Sequence, residues 1–169
     1  IGAKHCGTYA LFGESLGLVS DLMQELDGLA ARHNRSLRYN LSFRPIIADT
    51  EDAAWKKARQ ILHNVETTTK KSTKAPEAET AKRLSRLIEE GEVHDERLWV
   101  PIAAAAQGTG NSTALVGTPE QVAEAIAKYY DLGVAGVLIR GFDPFNDAVE
   151  FGKELIPWIR DKIRRRDEG

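Results

Sequence analysis

Residues 114–144, ALVGTPEQVAEAIAKYYDLGVAGVLIRGFDP, hold a helix with marked ends, then a strand, then a polar turn. Thr118 is placed to cap the helix. Pro119 falls at the first helical position, where its missing N–H costs nothing, and Gln121 stands where a capping box wants Glu or Gln. Val122, Ile126 and Tyr129, with Ala123 and Ala127 beside them, recur at helical spacing on one face. Gly133 stops the helix in the left-handed conformation that glycine tolerates best. Residues 134–139 (VAGVLI) are short and apolar, the pattern of a strand buried on both faces. Arg140-Gly141-Phe142-Asp143-Pro144 ends it abruptly. An α/β protein keeps its chemistry at the carboxyl ends of its strands. The other strands are therefore expected to be arranged around this one.

Upstream, residues 6–12 (CGTYALF) read as a short strand, with Gly13-Glu14-Ser15 as its exit loop. Residues 16–33 form an amphipathic helix with Leu18, Leu22, Leu26 and Leu29 on one stripe. Residues 37–48 (LRYNLSFRPIIA) alternate: Leu37, Tyr39, Leu41 and Phe43 on one face, Arg38, Asn40, Ser42 and Arg44 on the other. Pro45 removes a ladder donor, so pairing is expected to end there or to lie at an edge. Thr50 caps a helix over residues 51–65, with Trp55, Ala58, Ile61 and Leu62 inward. Residues 67–80 are polar, and a helix over residues 76–90 is anchored by Leu84, Leu87 and Ile88. No pattern decides residues 94–106. Residues 67–75 and the loop 107–112 (QGTGNS) lack large apolar anchors and are expected to be the most mobile internal segments. A last helix spans residues 145–166, kinked near its middle by Pro157.

The chain has 169 residues, enough for one ordinary domain. Its net charge of −2 argues for neither nucleic acid nor an anionic membrane as partner. Arg164-Arg165-Arg166 suits a solvated helix end, whose dipole favours cations. No apolar run approaches the roughly 20 residues of a membrane span. The single cysteine, Cys6, excludes an internal disulfide and fits a reducing cytoplasm; preceding a strand with no basic cluster nearby, it reads as a buried, inert thiol. His5, His33, His63 and His94 show no metal-ligand spacing, so no metal site and a surface role for each are expected. Residues 1–5 (IGAKH) read like the tail of a helix already under way, so the chain is expected to be a piece of a longer polypeptide.

The coarse order is strand, helix, strand, helix, insertion, helix, strand, helix. Such alternation means a parallel sheet covered by helices. Three strands leave open edges and one uncovered face. A closed (β/α)8 barrel takes about 250 residues. The expected fold is therefore α/β, the C-terminal portion of a TIM barrel: about three βα units, an insertion at about residues 67–112, and the N-terminal strands lying outside the chain. The inward polar face of residues 37–48 favours a barrel over an open sheet, because such faces line active sites near the C-terminal rim.

The whole chain resembles the carboxyl-terminal part of the bacterial-luciferase-like flavin monooxygenases, and within them the alkanesulfonate monooxygenase branch. The matching stretches are AKHCGTYALFGE (residues 3–14), ARHNRSLRYNLSFRPIIADTEDAAWKKA (31–58) and TALVGTPEQVAEAIAKYYDLGVAGVLIRGFDPFNDAVEFGKELIP (113–157). The resemblance implies a TIM barrel whose sixth, seventh and eighth strands are present here. It implies reduced FMN and dioxygen, a separate flavin reductase, a small-molecule substrate and a homo-oligomer. Most flavin phosphate contacts would lie upstream, so this polypeptide is expected to bind FMN poorly without the upstream half of the barrel. Two positions depart from the branch. Ser42 and Arg44 stand where it has an Arg-x-His pair, and Gly141-Phe142-Asp143-Pro144 replaces a Gly-Tyr-Pro. QGTGNS also lacks the anion-binding Arg of the branch's mobile loop.

Arg44 is the candidate catalytic residue. A guanidinium on an inward barrel face binds an anionic substrate group or negative charge on the flavin, or else forms a structural ion pair with a carboxylate of a missing strand. Ser42, Arg140 and Phe142 are candidates for substrate binding, the alternatives being buried water for Ser42 and for Asn40, a structural ion pair for Arg140 and plain packing for Phe142. Asn40 and Glu14 are candidates for cofactor binding; Glu14 otherwise reads as a solvated loop residue. Three functions compete: an FMN-dependent two-component monooxygenase acting on a small organosulfur or related organic substrate, a deazaflavin-dependent oxidoreductase on the same barrel, and a non-catalytic fragment that binds only its missing half.

Overall fold

The computed structural model describes residues 1–68, 79–105 and 113–169. Its elements are α1 (Gly2–His5), β1 (Thr8–Phe12), α2 (Leu16–Ala31), β2 (Arg38–Ile47), α3 (Glu51–Thr68), α4 (Glu79–Glu90), β3 (Val93–His94), β4 (Leu98–Trp99), α5 (Pro101–Ala105), β5 (Ala114–Gly117), α6 (Pro119–Asp131), β6 (Val134–Ile139), α7 (Pro144–Glu150), a π-helical turn (Phe151–Leu155) and α8 (Ile156–Glu168). Thr67 and Thr68 close α3 instead of opening a loop. The rest of the polar stretch expected to be mobile, up to residue 75, and the loop 107–112 lie outside the described residues.

β1, β2 and β6 run parallel with β2 between its two neighbours. These are the three strands expected from the sequence, but the described residues hold six. β5 pairs parallel with the second half of β2, and β4 and β3 extend that side antiparallel. The handover is set by backbone parity. Even-numbered residues of β2 bond toward β1: Arg38 N donates to Gly7 O, and Ser42 O accepts from Gly13 N. Arg44 N then donates to Thr113 O on that same side, so β5 follows where β1 has ended. Odd-numbered residues bond toward β6, whose last bond is Arg140 N to Phe43 O. Pro45 comes next on the β6 side, where no N–H is required. The expectation that pairing stops at Pro45 thus holds toward β6 and fails toward β5, where the ladder runs on to Ile47.

One face of the three parallel strands is covered. Leu11, Tyr39, Leu41 and Phe43 pack with Val19, Met23 and Leu26 of α2 and with Val122, Ile126 and Tyr129 of α6. Phe43 has no exposed surface, and its ring centroid lies 5.0 Å from that of Tyr129. Burying such a side chain contributes about 2–3 kcal/mol. On α2 the buried set is Val19, Met23, Leu26 and Ala30. This corrects the leucine stripe: Ala30 is fully buried, and Leu29 is exposed. α6 carries the capping box between Thr118 and Gln121, and Gly133 ends it at φ 96°.

No described helix covers the other face of β1, β2 and β6, where Phe12, Ser42 and Leu138 stand in register. Phe12 is 45% exposed and Leu138 53%. β6 is accordingly not buried on both faces, as its composition suggested; only Val134 is buried. Toward the carboxyl end the situation reverses. α3 and α5 cover Ile46, Ala114 and Val116 on that face, with Trp55 edge-on to Trp99 and Phe142 at the margin.

Further details differ from the sequence reading. Cys6 is exposed, because it lies in the link before β1 and not in the strand. His94 is half-buried and close to the carbonyls of Leu87 and Gly91 at the end of α4. Arg166 is no solvated cap; it reaches Glu124 and Asp131 of α6 and ties α8 to it. The break near Pro157 is a π turn, in which Ile156 N donates to Phe151 O one residue beyond the α-helical partner.

Glu51 joins the insertion to two helices. Arg97 grips its carboxylate at 2.6 and 3.2 Å, and the Gln121 amide donates to it at 2.8 Å. These donors, the Arg97 bonds foremost, hold its pKa down to about 2. A depressed carboxylate pKa contributes stability that is fully present above about pH 4.5 and is lost as pH falls toward 2. E51Q is therefore expected to flatten the urea-midpoint profile between those pH values; an unchanged acid slope would show that Glu51 contributes nothing. At Gly13, a methyl would overlap the Phe43 ring. G13A is expected to lower stability by about 1–3 kcal/mol, the range for overpacking a filled core, and an unshifted urea midpoint would contradict that packing.

Candidate active site

The strand alternation carries Asn40, Ser42 and Arg44 up one face of β2, and the β6 register places Arg140 beside Arg44. Arg44 is 7% exposed. Its Nη1 donates to the Gly141 carbonyl at 2.6 Å, and its guanidinium lies 4.9 Å from the centroid of the Phe142 ring. Its Nε is buried and has no hydrogen-bond partner. Among the described residues no carboxylate forms an ion pair with it; the structural-ion-pair alternative calls for a carboxylate from a strand outside this chain. Burial depresses its pKa, the Arg140 charge depresses it further, and Asp147 opposes both. The structure therefore brings together Arg44, Arg140 and Phe142 at the carboxyl end of β6, level with the point along β2 where β5 takes over from β1.

Asn40 and Ser42 are half-buried below Arg44 on the uncovered face. A Cβ on Gly136 would collide with the Asn40 amide, so the glycine is what lets Asn40 lie across β6. Glu14 is placed differently. It follows β1 but is 6% exposed, and its carboxylate is engaged by Arg83 of α4. Its carbonyl accepts from the Tyr129 hydroxyl at 2.7 Å, while the preceding Gly13 carbonyl accepts from Thr113 Oγ1 at 2.6 Å. Burial raises the Glu14 pKa and Arg83 counteracts this. The solvated-loop alternative is corrected, because the insertion folds over this residue.

Asp147 escaped the sequence reading. Its Oδ2 accepts from Phe142 N and Asp143 N. Asp143 with Pro144 is a legible helix start, and Asp143 does cap Asn146 N. A carboxylate one position past the usual capping-box site, reaching back across that cap, has no sequence signature.

The family profile described as luciferase-like monooxygenase matches residues 1–136. The chain belongs to the luciferase-like monooxygenase family. It is similar to DmoA from Hyphomicrobium sulfonivorans, with 15% identity, a TM-score of 0.68, and 95% of this chain against 38% of that one. It is similar to riboflavin lyase, solved with modified FMN and riboflavin, with 18% identity, TM-score 0.64, and 95% of this chain against 40% of that one. It is also similar to the coenzyme F420-dependent tetrahydromethanopterin reductase of Methanopyrus kandleri, with 16% identity, TM-score 0.52, and 92% against 46%. At these identities the likeness establishes the fold, an α/β portion of a TIM barrel. The chain spans about two fifths of the solved proteins it matches. The family is one of oxidoreductases. Among the described residues no helix is long and apolar enough to cross a membrane.

Glu14 and Arg83 sit across 69 residues of sequence from each other, so their pairing reports on the seating of α4. Truncating one member of a fully buried pair costs about 3–5 kcal/mol. Arg83 is 28% exposed. E14A is therefore expected to destabilise by a smaller amount, about 2 kcal/mol, measured by urea denaturation; an unchanged midpoint would mean that α4 does not depend on this pair.

Proposed function

We propose that this chain forms the C-terminal wall of the active site in a two-component, FMN-dependent monooxygenase. The enzyme would use reduced flavin, delivered by a separate reductase, and dioxygen on a small organosulfur or related organic substrate. The observation that carries the reading is Arg44: a buried guanidinium on β2 at the level where β1 and β6 end, with an unpartnered Nε and, among the described residues, no ion-paired carboxylate. A cation held this way is uncompensated until an anionic or electron-rich group meets it.

The uncovered face fits a flavin. Phe12 and Leu138 offer apolar surface, Asn40 and Ser42 between them offer hydrogen bonds, and the spare donor of Arg44 stands above. Reduced FMN, when bound, supplies the electrons that activate dioxygen. In this reading Asn40 helps hold the ring, and Glu14 shapes the cofactor side of the rim through α4. Ser42, Arg140 and Phe142 contact the substrate. Arg44 binds an anionic substrate group or stabilises negative charge on the flavin, and Phe142 limits water at the guanidinium, which strengthens that interaction.

A second reading keeps the site and exchanges FMN for a deazaflavin; the likeness to the F420-dependent reductase favours retaining it. Anaerobic titrations with reduced FMN and with reduced F420 separate the two. Selective binding of reduced FMN supports the monooxygenase; selective binding of F420 moves the function to hydride transfer. In the enzyme completed by the upstream half of the barrel, R44A is expected to fold normally and to lower kcat/KM by ~10²-fold, the scale of a lost electrostatic contact. Unchanged kcat/KM with reduced thermal stability would make Arg44 a structural residue.

A further inference from the structure

Asp147 contributes no atom to the face just described, yet the turn that holds Arg44 is built on it. One of its carboxylate oxygens accepts two successive backbone N–H groups, Phe142 N at 2.6 Å and Asp143 N at 2.9 Å. Its own N–H donates to the Asp143 carbonyl at 2.9 Å, so the start of α7 closes on itself. Room for the carboxylate exists because residue 141 is glycine; any Cβ there would overlap the Asp147 side chain. The turn fixed in this way presents the Gly141 carbonyl to Arg44 Nη1 and lays the Phe142 ring against the guanidinium.

We propose that Asp147 is a positioning residue for Arg44: by locking residues 141–143 it holds the guanidinium between the Gly141 carbonyl and the Phe142 ring, leaving Nε as the donor for a ligand. Two of the Arg44 contacts thus come from a segment whose backbone N–H groups at Phe142 and Asp143 are both held by Asp147, with Phe142 also packed at the margin of the α3–α5 cluster and Asp143 bonded to Asn146. The Asp147 charge also offsets part of the repulsion between Arg44 and Arg140. Position and charge are separable: asparagine keeps an oxygen that accepts both N–H groups but carries no charge, whereas alanine removes both.

The inference rests on the reading of Arg44 as ligand-facing, and its readout is Arg44 itself. In [15N]arginine-labelled protein, the Arg44 Nε–H resonance is identified as the one missing from R44K. D147A is expected to speed its solvent exchange by ~10-fold, the loosening that loss of hydrogen bonds of ordinary strength gives, while D147N stays within ~2-fold of wild type. Unchanged exchange in D147A overturns the proposal. Equal acceleration in D147N and D147A also overturns it, because the effect then belongs to the charge. If D147A does not fold, D147N decides: a folded D147N that has lost the protected Arg44 signal overturns the proposal, and one that keeps it supports it. A failure of R44A to change turnover would refute the functional reading and leave this result standing.

Discussion

β2 has to satisfy two different neighbours along a single edge. Its first half bonds to β1, its second half to β5, and the change occurs between Ser42 and Arg44. On its opposite edge β6 stops at the same level, where Pro45 has no hydrogen to give. All the ladders therefore change partner within a few residues. Backbone groups at such a junction stay bonded only if flanking segments arrive in register, which is the task of Gly13, Thr113 and Arg140. The same junction marks where the exposed polar face of β2 gives way to the part covered by α3 and α5.

The electrostatics follow from this geometry. A lysine or arginine at an exposed rim would be solvated and of little consequence. Arg44 is buried against Phe142 and the turn after β6, so its charge is met by one carbonyl, one aromatic face and the field of Asp147. Arg140 beside it adds repulsion. Arg44 is buried with little counter-charge, so a ligand that neutralised it would recover part of its desolvation cost; Arg140 is exposed and solvated. Glu14, by contrast, has its counter-charge in Arg83, and the pair belongs to the seating of the insertion.

What the sequence revealed was whatever local patterning controls. The cap at Thr118, the stop at Gly133 and the alternation from Leu37 to Arg44 each depend on neighbours within a few residues, and each appears in the structure as read. The matching stretches on either side of the insertion sufficed to point to the family. β3, β4 and β5 were missed because two-residue and four-residue strands carry no period; they exist through pairing with each other and with β2. Glu14 was misplaced because its burial is imposed by a helix 69 residues away. Asp147 was invisible because its role depends on a missing Cβ at Gly141, six positions earlier. The apolar face of β6 was overread: composition says that Leu138 can be buried, and only the assembled barrel decides whether it is.

The uncovered face of β1, β2 and β6 is proposed as the inner wall of a flavin site. A crystal structure of the protein with bound FMN tests it most directly. The account predicts the ring system against Asn40 and Ser42, between Phe12 and Leu138, with Arg44 Nε donating to the flavin or to a ligand beside it. A flavin bound elsewhere, with that face packed against other protein and Arg44 paired to a carboxylate, would contradict it.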